Sequence, residues 1–558
     1  MCAYHWEQNP NNENLNDLVI NGFEAGIGDS PEVGLQLLSG ANIKNFPKVA
    51  YANVARANSL VTTAGIMTYI IQDPVYLNNF YAVDYSGNVY QSIGNNTNGY
   101  GGKTWVVISG NSTTNAHGNG LIIWSIPGTG GPINYLFVSR DNFLDCIEVN
   151  VSGHTGSWTT LLSNDGSHYC FSLTYKPYGV NHNCLASVYS FLNGAPTLYF
   201  CNGQYLASLS AGLSGFNPSS SATSSYIWNE TALVLPSSEG GIATSLAEMK
   251  NNIYTTIGNL IVPWDYTSSG YQFPFAFTEF VNKMIVIDNI LYCFGGSYVD
   301  ELGNAWWEGS ANVLTPIIAG RGYIYYYDGW GGGVLKKIPD HLAPALTGFL
   351  EPTFYIGGYM KHLNKLFFGV SSSFSIQSAG LGVMSVDMNN QAYGIESQPG
   401  GALSIENGYF NFYTALCSLN NVLVNGNTLS YVGNYYENSP TYYCFDYTDQ
   451  LGNRENFEIR TDIIKVGTNQ NPKTFSQCEI RLRSPLYTGE TIYLSAYNYF
   501  ASYAQEPTNP VYTAPANDTT VSIVVPIFLQ ASEYIQIRIS ASLVANGSGC
   551  PIQEIILR

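Results

Sequence analysis

The sequence predicts an all-β protein with three parts: an extended N-terminal arm, a β-propeller of about seven blades and a C-terminal antiparallel β-sandwich. Three observations lead to this fold class. Strand–turn–strand units recur along most of the chain, and their turns are rich in Gly and Asn. The remaining segment alternates apolar and polar residues more regularly. We place the three parts at residues 1–60, 61–438 and 439–558.

The N-terminal arm is interrupted by Gly, Pro and Asn too often to form a helix. Residues 18–50 nevertheless carry many apolar side chains, Leu18 and Ile20 among them, which is more than a solvated tail exposes. We therefore expect the arm to dock on a neighbouring subunit; the alternative is a loop packed on its own domain. The residues expected to make this inter-subunit contact are Phe23, Ile27, Asp29, Pro31, Ile43 and Phe46.

The repeat region begins with a clear hairpin at residues 77–92, in which aromatic and β-branched residues alternate around a turn at Gly87. Similar units follow at Asn134–Val138, Leu198–Cys201, Asn252–Thr255, Asn289–Tyr292, Gly322–Tyr327, Asn364–Phe368 and Asn421–Val424. Their spacing is roughly 35 to 60 residues, the range of propeller blades and solenoid coils. Only Ala243–Lys250 and the vicinity of Leu342–Leu346 look helical, and both are short.

The C-terminal segment has a different pattern. Phe457–Arg460, Cys478–Arg483 and Tyr534–Ile539 place apolar residues on one face, and charged residues or Tyr on the other. Six of the nine arginines lie in this segment, beginning at Arg454. One-sided alternation in longer strands is typical of an antiparallel sandwich.

Composition limits the possible functions. Only 11% of the residues are charged and the formal net charge is −18, whereas a typical soluble domain has roughly 25% charged residues. A surface so low in charge suits a subunit that is covered by neighbours. A chain this acidic also cannot hold a phosphate backbone by counterion release, so we do not expect nucleic-acid binding as the main function. We expect no secretory signal, no membrane-spanning segment and reduced cysteines.

Catalytic motifs are absent from the sequence. The seven His are dispersed without HExxH, and there is neither a Walker A motif nor a GxSxG elbow. A sialidase needs three arginines for the substrate carboxylate, but the repeat region has only Arg140 and Arg321. We therefore predict no enzyme activity, no catalytic residue, no metal and no cofactor.

Aromatic–acidic clusters keep a glycan-active propeller open as the alternative. Trp and Tyr beside carboxylates can stack on sugars, and two carboxylates could act as acid and base or nucleophile. One such cluster is Trp264-Asp265-Tyr266. The possible glycan contacts are Trp306, Trp307, Tyr327, Asp328 and Trp330.

Several short motifs carry a resemblance that spans the whole layout. They are Gly26–Pro31, Asn42-Ile43 and Phe46-Pro47 in the arm, and Phe457–Arg460, Ile480–Leu482 and Pro551–Ile555 in the C-terminal segment. With this layout the chain resembles virion proteins of tailed bacteriophages, above all the propeller-bearing nozzle (tail hub) proteins of short-tailed phages. The resemblance implies a homo-oligomeric ring, usually a hexamer, below the portal and adaptor, with DNA passing along its axis. It also implies a virion location in the tail, after synthesis in the host bacterial cytoplasm.

The predicted function is therefore a structural virion component, a nozzle or hub ring subunit in the DNA ejection conduit. Its expected partners are copies of itself, adjoining portal, adaptor or tail proteins, and duplex DNA that passes without tight binding. We expect a lumen lined by Asp, Glu and uncharged polar residues, with sandwich arginines such as Arg481 and Arg483 facing protein neighbours. The alternatives are a peripheral tail or collar protein that binds host-surface glycans, and a glycan-cleaving propeller enzyme.

Overall fold

The structure is a computed structural model, and within the residues it describes every regular element is a β-strand. The described residues are 4–8, 16–21, 35–39, 41–42, 51–52, 57–59, 67–84, 87–93, 105–109, 118–126, 130–140, 143–162, 188–192, 195–202, 205–211, 216–218, 226–236, 243–279, 281–295, 319–320, 322–338, 354–362, 365–372, 379–388, 393–397, 413–418, 423–424, 427–436, 442–448, 457–461, 463–468, 470–498, 509–544 and 547–558. In these ranges no helix is long and apolar enough to cross a membrane.

Six short strands come first in the chain. They are β1 (Tyr4–Gln8), β2 (Asn16–Ile20), β3 (Leu35–Ser39), β4 (Ala41–Asn42), β5 (Tyr51–Ala52) and β6 (Ala57–Ser59). Strands β4 and β5 pair with each other, and the other four join sheets formed by later parts of the chain.

The next strands form five four-stranded antiparallel sheets in chain order, each a strand–turn–strand repeat of the kind that builds a propeller blade. Blade 1 contains β7 (Met67–Gln72), β8 (Asn79–Asp84), β9 (Val89–Ile93) and β10 (Val106–Val107). Blade 2 contains β11 (Gly118–Ile126), β12 (Ile133–Arg140), β13 (Phe143–Asn150) and β14 (Gly153–Leu162). Blade 3 contains β15 (Val188–Leu192), β16 (Ala195–Asn202), β17 (Tyr205–Ala211) and β18 (Tyr226–Val234). Blade 4 contains β19 (Ala243–Met249), β20 (Asn252–Ile257), β21 (Leu260–Trp264) and β22 (Phe275–Ala276). Blade 5 contains β23 (Val281–Ile287), β24 (Ile290–Gly295), β26 (Tyr323–Tyr327) and β27 (Gly332–Lys337). Strand β25 (Ala319–Gly320) lies between β24 and β26 in sequence but is not part of blade 5.

Two further sheets bring the described blades to seven. Blade 6 contains β28 (Phe354–His362), β29 (Lys365–Ser372), β30 (Ala379–Asp387) and β31 (Tyr393–Ser397), with β25 paired to β28. Blade 7 contains β32 (Tyr413–Ser418), β34 (Asn427–Tyr436) and β35 (Tyr442–Thr448), with β33 (Leu423–Val424) paired to β34 and β6 as its last strand. The first strand of blade 7 contacts the first strands of blades 6 and 1, so the sheets close into a ring.

The ring is closed by the N-terminal part of the chain. Strand β6 pairs antiparallel with β35, with Asn58 opposite Phe445. Because the last strand of blade 7 comes from the start of the chain, blade 1 and blade 7 cannot separate without breaking a strand pair.

The C-terminal segment forms a sandwich of two sheets. Its strands are β36 (Phe457–Thr461), β37 (Ile464–Lys465), β38 (Lys473–Leu482), β39 (Thr491–Asn498), β40 (Tyr512–Thr513), β41 (Ser522–Ser532), β42 (Tyr534–Ser542) and β43 (Ile552–Leu557). One sheet has the order β1-β2-β43-β38-β41. The other has the order β3-β36-β42-β39-β40, with β37 paired to β42, and it continues through β3 into blade 6.

One apolar core joins the sandwich to the propeller. Ile480 and Ile555 from one sheet pack with Ile537 from the other, and all three are fully buried. The same cluster includes Phe294 of blade 5 and Phe368 of blade 6. The sandwich therefore packs directly on blades 5 and 6 rather than extending from them on a linker.

The structure corrects two sequence-based expectations. Leu18 and Ile20 do not dock on a neighbouring subunit, because β2 pairs with β43 and both side chains are buried in the chain's own sandwich core. The stretch Ala243–Lys250 is not helical, since residues 243–249 form β19, the first strand of blade 4. Leu342–Leu346 and the six residues expected to make the inter-subunit arm contact lie outside the described residues.

Candidate functional site

The turn between β26 and β27, at residues 328–331, is held by one carboxylate. Asp328 Oδ1 accepts hydrogen bonds from the backbone N–H groups of Gly331 at 3.0 Å and Trp330 at 2.9 Å. These two hydrogen bonds, with Gly331 the larger contributor, hold the pKa of Asp328 below its usual value. The Asp328 carboxylate is therefore ionised at neutral pH, and Trp330 stands at the apex of the turn with 92% of its surface exposed.

A neighbouring blade supplies a cation to this turn. Lys250 and Asn251 form the turn between β19 and β20, and both have positive φ, as a two-residue type I′ hairpin turn requires. Lys250 Nζ donates a hydrogen bond of 2.7 Å to the backbone carbonyl of Asp328. In an antiparallel blade the first and third turns lie at the same end. We call that end of the propeller the turn face; it carries the turns at Lys250–Asn251 and 328–331.

The third turn of blade 4 presents a second exposed ring on the turn face. Asp265 Oδ1 accepts hydrogen bonds from the Ser268 hydroxyl at 2.6 Å and the Ser268 N–H at 2.8 Å, and Trp264 Nε1 donates to the Ser268 carbonyl at 3.0 Å. The Trp264-Asp265-Tyr266 cluster is thus a structural turn, with Trp264 buried. Further along the same connection, 94% of the surface of Phe273 is exposed.

Packed aromatic rings form the support beneath these turns. Phe275 of blade 4 lies 5.2 Å from Tyr327 of blade 5, and Tyr254 lies 5.8 Å from Tyr327, measured between ring centroids. A Cβ at Gly332 would lie 2.3 Å from the Tyr326 carbonyl oxygen, so only glycine fits where β27 approaches β26. The turns that carry Trp330 and Phe273 therefore stand on a packed boundary between blades 4 and 5.

Only part of the predicted set of glycan contacts comes together here. Asp328 and Trp330 share one turn, but Tyr327 is only 4% exposed and packs in the core between blades 4 and 5, so its prediction as a surface contact is wrong. Trp306 and Trp307 lie outside the described residues. Sequence reasoning missed Lys250 and Phe273. Asn251 is a residue type that tolerates the positive φ of a type I′ turn, but Lys250 is not typical of one. Nothing in the sequence separates an exposed Phe from a buried one.

The exposed groups on the turn face are of kinds that bind ligands. Two exposed aromatic rings, an ionised carboxylate and an ammonium group can hold a planar or saccharide ligand. Glycoside hydrolysis needs a carboxylic acid whose pKa is raised so that it can donate a proton, and the pKa of Asp328 is shifted the other way. Within the described ranges, no three His, Cys, Asp or Glu side chains converge as a metal site.

A buried ion pair of the propeller lies elsewhere, in blade 2, where Arg140 also interacts electrostatically with Asp84 of blade 1. Arg140 is fully buried, forms an ion pair with Asp145 and lies 5.8 Å from the centroid of the Trp158 ring. Thr160 donates a 2.6 Å hydrogen bond to Asp145. Arg140 is thus a structural residue of this blade boundary.

The sandwich arginines form ion pairs within their own chain. Arg481 contacts Glu479 and Glu554, each at 2.9 Å, while Arg558 contacts Asp17 at 2.9 Å and Glu479 at 2.7 Å. On the other sheet, Glu458 accepts from Arg460 and Arg538, each at 2.8 Å. Carboxylates of the same chain therefore balance these four arginines, while the expectation that sandwich arginines face protein neighbours stays a prediction.

Comparisons with known proteins add structural likenesses alone. No family model and no curated protein matches the chain. Solved structures similar to it include the WD40 β-propeller domain of Doa1, at 11% identity over 71% of this chain and 97% of that chain, with a TM-score of 0.38. YCF48 from Cyanidioschyzon merolae matches at 11% identity over 70% of this chain and 99% of that chain, with a TM-score of 0.38. The WD40 domain of Neurospora crassa Pan2 matches at 9% identity over 69% and 90%, with a TM-score of 0.36.

Proposed function

We propose that this protein is a structural, non-catalytic subunit of a bacteriophage tail, a nozzle or hub ring component of the DNA ejection conduit. The observation that carries the proposal is the way in which the N-terminal segment ties the two domains together. Strand β2 lies in the sandwich, β3 lies between the sandwich and blade 6, and β6 completes blade 7. Such a chain transmits force between its domains through backbone hydrogen bonds, which suits a component of an ejection machine.

The continuous core supports the same function. Side chains of blades 5 and 6 pack with those of both sandwich sheets, so bending at the domain boundary would open an apolar core. A hinged enzyme or switch needs a boundary that opens at low cost. A ring subunit under pressure benefits from a domain boundary that does not open.

The charge distribution is compatible with a conduit that passes DNA. The chain has 21 Lys and Arg against 39 Asp and Glu, and the ion-paired arginines of the sandwich have their charges balanced by carboxylates. A surface with few uncompensated cations releases few counterions from a duplex, so it binds DNA weakly.

The test is location together with DNA binding. Antibodies against the purified protein should label the tails of phage particles in electron micrographs, and the protein should not bind duplex DNA tightly at physiological salt. Labelling that is absent from tails, or tight duplex binding, would refute the proposal.

A second candidate function, binding of host-surface glycans, is favoured by the two exposed rings on the turn face. Trp330 stands on a turn of blade 5 that Asp328 and Lys250 hold by hydrogen bonds, and Phe273 stands on the third turn of the adjacent blade 4. Stacking of a sugar on an aromatic face needs such a preorganised ring. Host lipopolysaccharide or capsule should then bind the protein saturably without being cleaved, and Trp330→Ala should weaken this binding while Val334→Ala, an exposed control on β27, should not. Release of sugars would instead support the glycan-cleaving alternative.

A further inference from the structure

The five-stranded sheet of the sandwich ends at an unusual edge. Strand β41, Ser522–Ser532, is the last strand of its sheet, and in the described part of the chain it pairs only with β38. Residues 521–532 include no charged residue. Val524 and Phe528 are 52% and 79% exposed. Proteins usually protect a free edge with charges or a short strand, and this edge has neither.

The ladder to β38 shows which backbone groups point outward. Leu482 N–H donates to the Val521 carbonyl at 2.8 Å, so these two residues are a hydrogen-bonded pair. Such pairs alternate along an antiparallel ladder. Ile523 therefore also bonds to β38, while the N–H and C=O groups of Ser522 and Val524 point to the open edge.

Proline sets the length of this open edge. Pro526 is the next residue in the outward-facing series, and it has no N–H to donate. The edge therefore offers donors at two successive outward positions and then stops. A partner strand can pair over this short stretch, but the edge cannot support continuous sheet growth.

Charge favours a second copy of this chain as the partner. At a formal net charge of −18, two copies repel each other unless they meet where charge is absent or balanced. Strand β41 has no charge, and the outer face beside it carries Arg481 paired with Glu479 and Glu554. A basic partner would be attracted to the acidic surfaces of the chain and would gain nothing from this neutral edge.

We infer that copies of this chain associate by strand addition at the β41 edge. A strand of the second copy hydrogen-bonds to the backbone of Ser522 and Val524, and its side chains cover Val524 and Phe528. The inference rests on the proposed function and deepens it, because it names the surface that joins subunits.

Two variants test this interface without disturbing the sandwich core. Val524→Pro removes an outward-pointing N–H without removing a hydrogen bond to β38, and Phe528→Asp places a charge on the exposed side chain. Sedimentation velocity across a concentration series should show self-association of the wild-type chain, weakened at least about tenfold in each variant. The matched controls are Val524→Ala, which keeps the N–H, and Val334→Asp, which adds a charge on β27. The Val524→Ala control should associate more tightly than Val524→Pro. The Val334→Asp control should associate like the wild type.

Two results would overturn the inference: a wild-type chain that stays monomeric at every concentration, or variants that retain their thermal melting temperature and associate like the wild type. The proposed function is tested separately by tail labelling. Association that survives both variants in a tail-located protein refutes the interface alone. Association lost in both variants of a protein absent from tails refutes the function and keeps the interface.

Discussion

The propeller and the sandwich are both antiparallel β-structure, but they bury their apolar side chains in different ways. In blades 1 to 5, each boundary between neighbouring blades has its own cluster, such as that around Trp124 between blades 2 and 3. The sandwich has a single core, and blades 5 and 6 contribute to it. A change at one blade boundary should therefore stay local, whereas a change in the sandwich should reach both domains.

The two regions also treat charge differently. The propeller buries the Arg140–Asp145 pair completely, while the Arg481 and Arg558 pairs of the sandwich are partly exposed. An exposed ion pair contributes about 0–1 kcal/mol, whereas breaking a buried one costs several kcal/mol. The propeller should therefore be the more sensitive region to loss of a single charge, and the sandwich to loss of apolar area.

The largest effect should follow removal of residues 1–21, which deletes β1 and β2. Leu18, Val19 and Ile20 are all buried, and each is worth about 2 kcal/mol or more, so the free energy of unfolding should fall by roughly 6 kcal/mol. Calorimetry should show the sandwich melting earlier and blades 5 and 6 following it. An unchanged melting profile would mean that the N-terminal strands are not part of the core.

Arg140→Met should produce the next largest effect, confined to blades 1 and 2. It leaves Asp145 buried without its ion pair, which should cost about 3–5 kcal/mol. The double variant Arg140→Met/Asp145→Leu removes both charges and should recover most of the loss in chemical denaturation. A double variant no more stable than the single one would show that the pair is not the cause.

A smaller effect is expected for Gly153→Ala, at the contact between blades 1 and 2. Gly153 has a φ of +100°, and an added Cβ would lie 2.5 Å from Ile93 Cδ1 and 2.7 Å from Gln91 Oε1. The backbone strain and the overlap together should cost about 1–3 kcal/mol. Gly156 also has a positive φ, but a Cβ added there by Gly156→Ala would meet no atom within 4 Å. It is the matched control, and comparable destabilisation of both variants would assign the effect to backbone strain alone.

The smallest effect concerns pH at the turn face. The Gly331 and Trp330 N–H groups lower the pKa of Asp328 in the folded protein. The contribution of the Asp328 carboxylate to the stability of the turn is therefore fully present above its ordinary pKa of 3.8, and it is lost as pH falls through the lower folded pKa. Asp328→Asn keeps an oxygen acceptor for the turn and removes this titration. Trp330 fluorescence followed below about pH 4 should change in the wild type and stay flat in Asp328→Asn. A transition in both proteins would assign it to another group.

Much of the architecture could be predicted from local pattern. Alternating residues around Gly87 and around Gly258 and Asn259 do form paired strands, β8 with β9 and β20 with β21, because hairpin pairing involves neighbours in sequence. The alternation at Cys478–Arg483 likewise places Ile480 in the core and Arg481 on the outer face. The helical interpretation of Ala243–Lys250 failed because Ala, Leu, Glu and Met favour helices, while pairing with β20 decided the outcome.

What the sequence determined by itself was the all-β class and the recurrence of blade-like units, since both depend on contacts between adjacent segments. Only the tertiary structure decided that β2 lies against β43, more than five hundred residues away, and that β6 completes blade 7. It also decided that Tyr327 is buried while Trp330, three residues later, is exposed. These outcomes depend on which distant surfaces meet, and short apolar stretches carry no information about their partner.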